Sequence, residues 1–414
     1  MSVLRLLIVL PAAGALALSL GGVASTQAPT DWPQWRGPNR DGRSAETGLL
    51  KQWPENGPPL KWKAAGAGDG YSSMSTSGPR LYTMGARGGT EYIMAFDRAT
   101  GKKVWEVGNG ARFSNDRGDG PRGTPTIDGS RLFALGGSGD LTCLEAETGT
   151  RVWSVNVLKE FGGANPRWGL SESPLVTGDR VIVNAGGPNA SVVAFNKQNG
   201  QVLWKSESDG AAYSSAVLQQ VGPIPQVVVF TSRRAVGLDS RDGRLLWEYS
   251  RVANRVANIA TPVVKDNFVF LSSDYGTGAA LLKLEPQGND VTATEVYFTQ
   301  AMRNHHSSSV LLGEHLYGFS SAILTALQFD TGDVAWRDRS VGKGSIAAAE
   351  GHLYLYSENG VVGLAEASPE GYQEKGRFSI EQSSLPTWAH PIVSSKTLYL
   401  RDQDHIYAYD IAAN

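Results

Sequence analysis

The sequence predicts an all-β protein, an eight-bladed β-propeller of four-stranded antiparallel blades closed by an N-terminal strand that completes the last blade. Three observations lead there. An eleven-residue pattern ending in Gly-x-x-x-Trp recurs, with tryptophans at 105, 153, 204 and 247 spaced 43–51 residues apart. Glycine is abundant at 49 residues while charged residues make up only 19% of the chain, a mixture suited to short strands and tight turns. A strand-like segment, Leu60 to Ala64 around Trp62, stands before the first repeat, and the last repeat stops one strand short at Asn414.

Each copy of the pattern opens on a small residue, an apolar residue and Asp or a substitute. The copies are Ala95-Phe96-Asp97 with Gly101 and Trp105, Cys143-Leu144-Glu145 with Gly149 and Trp153, and Ala194-Phe195-Asn196 with Gly200 and Trp204. Gly237-Leu238-Asp239 with Gly243 and Trp247, and Ala326-Leu327-Gln328 with Gly332 and Trp336, continue the series. Each reads as a β-hairpin: the strand ends at the acidic residue, glycine accepts positive φ in the turn, and the return strand carries Trp. The interval from Trp247 to Trp336 is close to twice the others. A unit without tryptophan therefore belongs between them, at Ala280 to Glu285 and the strand Glu295 to Phe298.

Two further strands precede each hairpin, as at Thr124 to Ile127 and Arg131 to Leu135, split by Asp128-Gly129. The tail adds one unit from Leu353 to Ile380 and a last one from Pro391 to Tyr409 that lacks its outer strand. Leu60 to Ala64 supplies that strand, closes the ring and removes both open edges. A blade cannot bury both faces alone, so Trp62, Trp105, Trp153, Trp204, Trp247 and Trp336 are expected to pack between blades, each burying about 150–250 Å².

The N-terminus reads as a secretory signal, residues 1–28: Arg5, the apolar run Leu6 to Leu20, then small residues through Ala24 and Ala28. An uncleaved anchor is the rival reading, disfavoured by Pro11 and by a length near the lower limit of about 17–25 residues for a span. Residues 29–59 form an extended, aromatic arm expected to pack on the propeller face or rim, since Trp32, Trp35 and Trp53 are costly to expose. Residues 60–414 are the propeller. The expected location is periplasmic or secreted, as a monomer with no membrane span once the signal is removed.

A net charge of −2 gives no footprint for nucleic acid or a membrane surface. Cys143 is the single cysteine, which excludes an intramolecular disulfide, a C-x-x-C-H haem attachment and a lipoprotein anchor.

Chemistry in a propeller gathers where the loops leading into the inner strands meet near the axis. Those positions hold Tyr71, Arg122, Arg167, Trp168, Glu172, Tyr213, Asn258, His305, His306, Lys343, Trp388 and His390. A plain scaffold needs only small turn residues there, so these are the candidate ligand-binding residues. The excess of cations over Glu172 favours an anionic ligand. His305 and His306 are adjacent, and neighbouring strand residues point to opposite faces, which argues against both holding one ion. A metal on one of them with His390 and Glu172 has suitable ligand types, but no metal is assigned. Arg401-Asp402-Gln403-Asp404 falls on a hairpin turn and reads as a solvated turn, with calcium on its two acids as the lesser alternative. No G-x-S-x-G or H-E-x-x-H element is present.

The A-x-D-x-x-T-G-x-x-x-W motif, complete in Ala95 to Trp105 and degenerate in the other copies, resembles the blade motif of the PQQ-like repeat family. That family includes quinoprotein alcohol dehydrogenases and the outer-membrane assembly factor BamB, and the resemblance covers roughly residues 60–414. The opening Asp31-Trp32-Pro33-Gln34-Trp35-Arg36-Gly37-Pro38 is similar to the leader of a secreted bacterial, BamB-like subgroup. The motif implies the fold but not a cofactor. One cysteine cannot supply the vicinal pair of the methanol-dehydrogenase type, no haem domain is attached, and BamB's lipid-anchor cysteine is missing.

The expectation is a binding or scaffolding propeller for a protein, peptide or glycan, or for a small anionic ligand, without nucleic acid. The alternative is a PQQ-dependent dehydrogenase of alcohols or sugars using PQQ with Ca²⁺, for which Glu172 would be the single acid in the set.

Overall fold

The computed structural model describes residues 30–413; the predicted signal lies outside the described residues. Eight four-stranded units follow one another, at 75–111, 126–156, 175–206, 217–249, 263–299, 310–338, 344–379 and 392–410. We number these blades 1 to 8. Within each, strands run from the inner edge outward in chain order and pair antiparallel. Blade 8 has three strands of its own, and Leu60–Ala64 completes it by pairing with His405–Asp410, Trp62 opposite Ala408. The only helix among the described residues is one turn, Val157–Phe161, capped by the Asn156 side chain and ended by Gly162 at φ 68°. No helix of the described residues is long and apolar enough to cross a membrane.

The repeat pattern acts as a clamp between neighbours. A Cβ on Gly101 would meet the Trp62 ring at 2.7 Å, one on Gly149 the Trp105 ring at 2.9 Å, and one on Gly200 the Trp153 ring at 2.8 Å. Each indole therefore lies flat on the turn glycine of the following blade, which only a residue without a side chain permits. The indole nitrogens bond the same turns: Trp62 to Arg98 O, Trp105 to Glu147 O, Trp153 to Lys197 O, Trp204 to Ser240 O and Trp336 to Ser368 O. In blade 5, Tyr297 takes the tryptophan's place, packing over Gly332 and donating its hydroxyl to Phe329 O. Trp247 departs from the series. Its Nε1 turns inward to Gln226 Oε1 of its own blade while the ring packs towards blade 5.

Predicted boundaries hold to within a few residues. The inner strand of blade 2 begins at Thr126 rather than Thr124, because the Thr124 amide instead donates to Ser173 Oγ of blade 3.

Two expectations are corrected. The Arg401–Asp404 segment is no solvated turn: Arg401 is completely buried and reaches from blade 8 into blade 1. Its guanidinium donates to the carbonyls of Ala67, Gly68, Ser72 and Met84, to Thr83 Oγ1 and to Gln403 O. Asp404 accepts from the amides of Gly66 and Gly68. This turn is the second half of ring closure.

The arm, likewise, lies only in part along a face: Trp53 packs on the outer strand of blade 7, its amide bonded to Lys375 O, but the stretch before it enters the axial opening. Arg43–Ser44 adds a parallel strand to the inner edge of blade 7. Arg40, buried, donates to carbonyls of Ser173 and Pro174 in blade 3 and of Ala216 in blade 4. Arg36, also buried, donates to the carbonyls of Ser308 and Ser309 in blade 6. Bonding to inner strands on opposite sides of the ring puts the arm on the axis. The free carbonyls at those strand ends, which adjacent blades cannot pair, explain why two arginines are buried there.

Candidate functional site

A pocket of about 600 Å³ opens on the face opposite the arm's point of insertion. All eight blade junctions contribute to its wall, and Trp35, the tip of the arm, lies at its floor. The Trp35 indole donates to Thr261 Oγ1 at 2.9 Å and packs on His390 with ring centroids 4.5 Å apart. The axial tunnel is thus stoppered beneath the pocket.

Of the residues singled out from sequence, Tyr71, Arg122, Arg167, Trp168, Tyr213, His305, His306, Lys343 and Trp388 line the wall together. The other three sit below it. Glu172, 1% exposed, accepts the Asn184 amide at Oε1. Asn258 donates to Thr231 O and accepts from the Asn254 amide, which ties its own loop. His390 is buried behind Trp35, with Nε2 3.3 Å from His306 O. Each turns inward because the first residues of an inner strand must satisfy neighbouring backbone before any side chain can face a ligand.

One sector of the wall is aromatic and cationic. Tyr71 and Trp388 lie 4.7 Å apart, and Trp168 and Tyr213 5.7 Å apart. The Arg122 guanidinium lies 5.5 Å from the Tyr71 ring and 4.8 Å from Phe113, tied to the carbonyls of Gly118 and Gly120. Arg167 lies 5.1 Å over the Trp168 ring. Neither its guanidinium nor that of Arg117 has a hydrogen-bond or ion-pair partner among the described residues. Burial lifts the Tyr71 hydroxyl to about 12, so it stays a neutral donor.

The facing sector holds His305, His306, Lys343 and Glu358. Glu358 Oε1 lies 3.0 Å from Lys343 Nζ and accepts the Trp388 indole at 2.6 Å. His306 Nδ1 approaches the same oxygen at 3.5 Å. That approach is an ion pair only for an imidazolium, and burial, seconded by the Lys343 charge, holds His306 well below the usual histidine range. Burial and Lys343 lower His305 as well. Both rings are neutral at pH 7.

Sequence reasoning missed Trp35, Arg117, Tyr275 and Glu358 on this wall. Tyr275 and Glu358 lie in the turns between the second and third strands of blades 5 and 7. Strands alternate in direction, so those turns open on the same face as the loops leading into inner strands. That alternation was the available signal.

A family model described as outer membrane protein assembly factor BamB matches residues 89–338, more than half of the chain. The chain belongs to the BamB family of PQQ-like propellers. BamB of Yersinia pestis is 24% identical over 274 residues, 62% of this chain and 66% of that protein. BamB of Shewanella oneidensis is 32% identical over 155 residues, 36% of each. The chain thus matches just under two thirds of the first relative's length and about a third of the second's. Among solved structures, BamB from Moraxella catarrhalis superposes with TM-score 0.62 at 14% identity, covering 86% of this chain and all of that one. Quinohemoprotein alcohol dehydrogenase from Comamonas testosteroni gives 0.66 at 11% identity, covering 95% and 82%. At these identities the likeness is one of fold.

The wall can be tested against PQQ with Ca²⁺. Its cations suit the carboxylates of the quinone. Calcium requires about six to eight oxygen ligands. Glu358 is the only carboxylate among the wall residues, and Lys343 already engages it, while Glu172 does not reach the wall. The donor set does not fit the calcium–quinone pair.

Proposed function

We propose that this BamB-family chain is an exported binding propeller whose pocket captures an anionic group stacked against an aromatic wall. The reading rests on one observation above the rest. Arg117 and Arg167, both exposed, present guanidinium groups to a stoppered pocket with no hydrogen-bond or ion-pair partner among the described residues, beside Trp168, Tyr213 and Trp388. A guanidinium beside an aromatic face suits a planar or ring-bearing carboxylate, held by bidentate bonds and by stacking. The acid would be borne by a peptide, a glycan or a free small molecule, and the chain would act as a monomer in the periplasm or outside the cell. Relatives named as outer membrane protein assembly factors agree with a protein partner on a propeller face.

The test is titration of the purified chain with a uronate-bearing disaccharide, an acidic peptide and neutral counterparts of each, followed by tryptophan fluorescence. An acid is expected to bind and perturb the emission of the wall tryptophans. Equal binding of the neutral counterparts would sink the reading. PQQ with Ca²⁺ belongs in the same panel: stoichiometric binding with dye-linked alcohol or aldose oxidation would instead establish the dehydrogenase reading.

A further inference from the structure

We propose that His305, His306 and Glu358 form a site for one divalent transition metal ion, of the zinc or copper class, in the pocket wall. The ligand atoms of the three residues lie within 4.8 Å of one another. The expectation that adjacent histidines diverge fails here because residues 305–307 form a bend, not a strand, so both rings reach the same side. Their centroids are 5.9 Å apart in an edge-on arrangement.

The unpartnered nitrogens carry the argument further. Both ring nitrogens of His306 are buried without a hydrogen-bond partner among the described residues, and so is Nδ1 of His305. Buried polar atoms are almost always satisfied, and each neutral imidazole keeps one nitrogen lone pair, so two such rings with the carboxylate they open towards offer three donor atoms to one cation. Tyr275 Oη lies 3.0 Å from His305 Nε2. That contact fixes the ring and leaves Nδ1 as the free ligand atom, the arrangement seen when an outer group orients a metal-binding histidine. His306 Nδ1 and Glu358 Oε1, at 3.5 Å, are already close to the roughly 3.3 Å between donors implied by tetrahedral bonds of about 2.0–2.1 Å. Two imidazoles and one carboxylate suit zinc or copper rather than calcium or magnesium.

Lys343 now serves as the cation on Glu358, 3.0 Å away. A divalent ion would displace that ammonium, so Lys343 opposes the site it borders. Three protein ligands leave a position open to the pocket, where an anionic oxygen donor would complete the coordination. The metal inference does not depend on anion capture, because it is read with no organic ligand present.

The experiment is equilibrium dialysis of the untagged chain against Zn²⁺ and Co²⁺, with metal analysis and the visible spectrum of the cobalt form. One ion per chain is expected, with a cobalt ligand-field band. His306→Ala and Glu358→Gln should each weaken binding by about tenfold or more, while Lys343→Met should tighten it about tenfold by removing a like charge. Should His306→Ala fail to fold, the other two variants still decide. Binding below half an equivalent, or binding unchanged in Glu358→Gln and Lys343→Met, would overturn the proposal.

Discussion

Replacing Arg401 with Met tests how the ring is held shut. Met matches only the aliphatic stem and ends short of the guanidinium, so the change deletes the donors that reach from the turn of blade 8 into blade 1 and leaves the Gly66 and Gly68 amides bonded to Asp404. Six hydrogen bonds are lost, five of them to backbone carbonyls. Charge-assisted bonds contribute roughly 1.5–3 kcal/mol each. Against that gross gain stands the desolvation of a completely buried guanidinium, several kcal/mol, with no carboxylate bonded to it. Removal leaves no charge behind, but five carbonyls and the Thr83 hydroxyl lose a buried donor, at about 1–3 kcal/mol for each left unpaired. After relief of the guanidinium's desolvation the net loss is about 4 kcal/mol. Unfolding entropy near 2.1 cal/mol/K per residue amounts to about 0.8 kcal/mol/K for the ordered chain, so Tm should fall by about 5 °C. The assay is thermal unfolding followed by circular dichroism, with Arg87→Met as control. Arg87 pairs with Glu106 while over a third exposed, and its loss should cost about 0.5 kcal/mol or less. An Arg401→Met protein melting within 1 °C of the parent would refute the reasoning.

Three further predictions follow from the packing. Gly149→Ala should destabilise by about 2 kcal/mol in denaturant unfolding, since φ is 74° and the new Cβ would meet the Trp105 ring at 2.9 Å. Glu172 is lifted by burial to about 8 from 4.5, so the folded chain holds a proton that the unfolded chain has released. Its stabilisation is whole below about pH 4.5 and drains as pH rises through about 8, with a slope of up to ~1.4 kcal/mol per pH unit. Glu172→Gln, which stays neutral and keeps the acceptor for Asn184, should therefore gain on the parent between pH 5 and 8 in urea melts. Cys143 is buried and its thiol pushed up to about 12, so a thiol reagent should label it only after unfolding.

The architecture was legible because its sequence signal is a physical contact. A Gly-x-x-x-Trp repeat marks an indole lying on the next blade's glycine, and its spacing counts the blades. The substitution of Tyr297 in blade 5 hid the clamp but not the unit, since the gap between Trp247 and Trp336 still measured two blades. The pocket was legible where it is built from loops leading into inner strands, because symmetry alone brings Arg167, His306 and Trp388 together. Glu172 and His390 share that register yet point inward, a choice made by local backbone needs that spacing does not encode. Trp35 was out of reach for another reason: a non-repeating arm has no symmetry partner to say where it docks. Arg401 was misjudged on composition, since charged turn residues look solvated until the neighbouring blade is laid against them.

The measurement that bears most directly on the account is the affinity of a ring-bearing carboxylic acid against that of its amide, in the parent and in an Arg117→Ala/Arg167→Ala double variant. The account predicts that the parent prefers the acid at least about tenfold, a difference of about 1.4 kcal/mol, and that the double variant loses the preference while keeping its Tm. Equal affinities in the parent, or an acid preference that survives loss of both guanidinium groups, would contradict it.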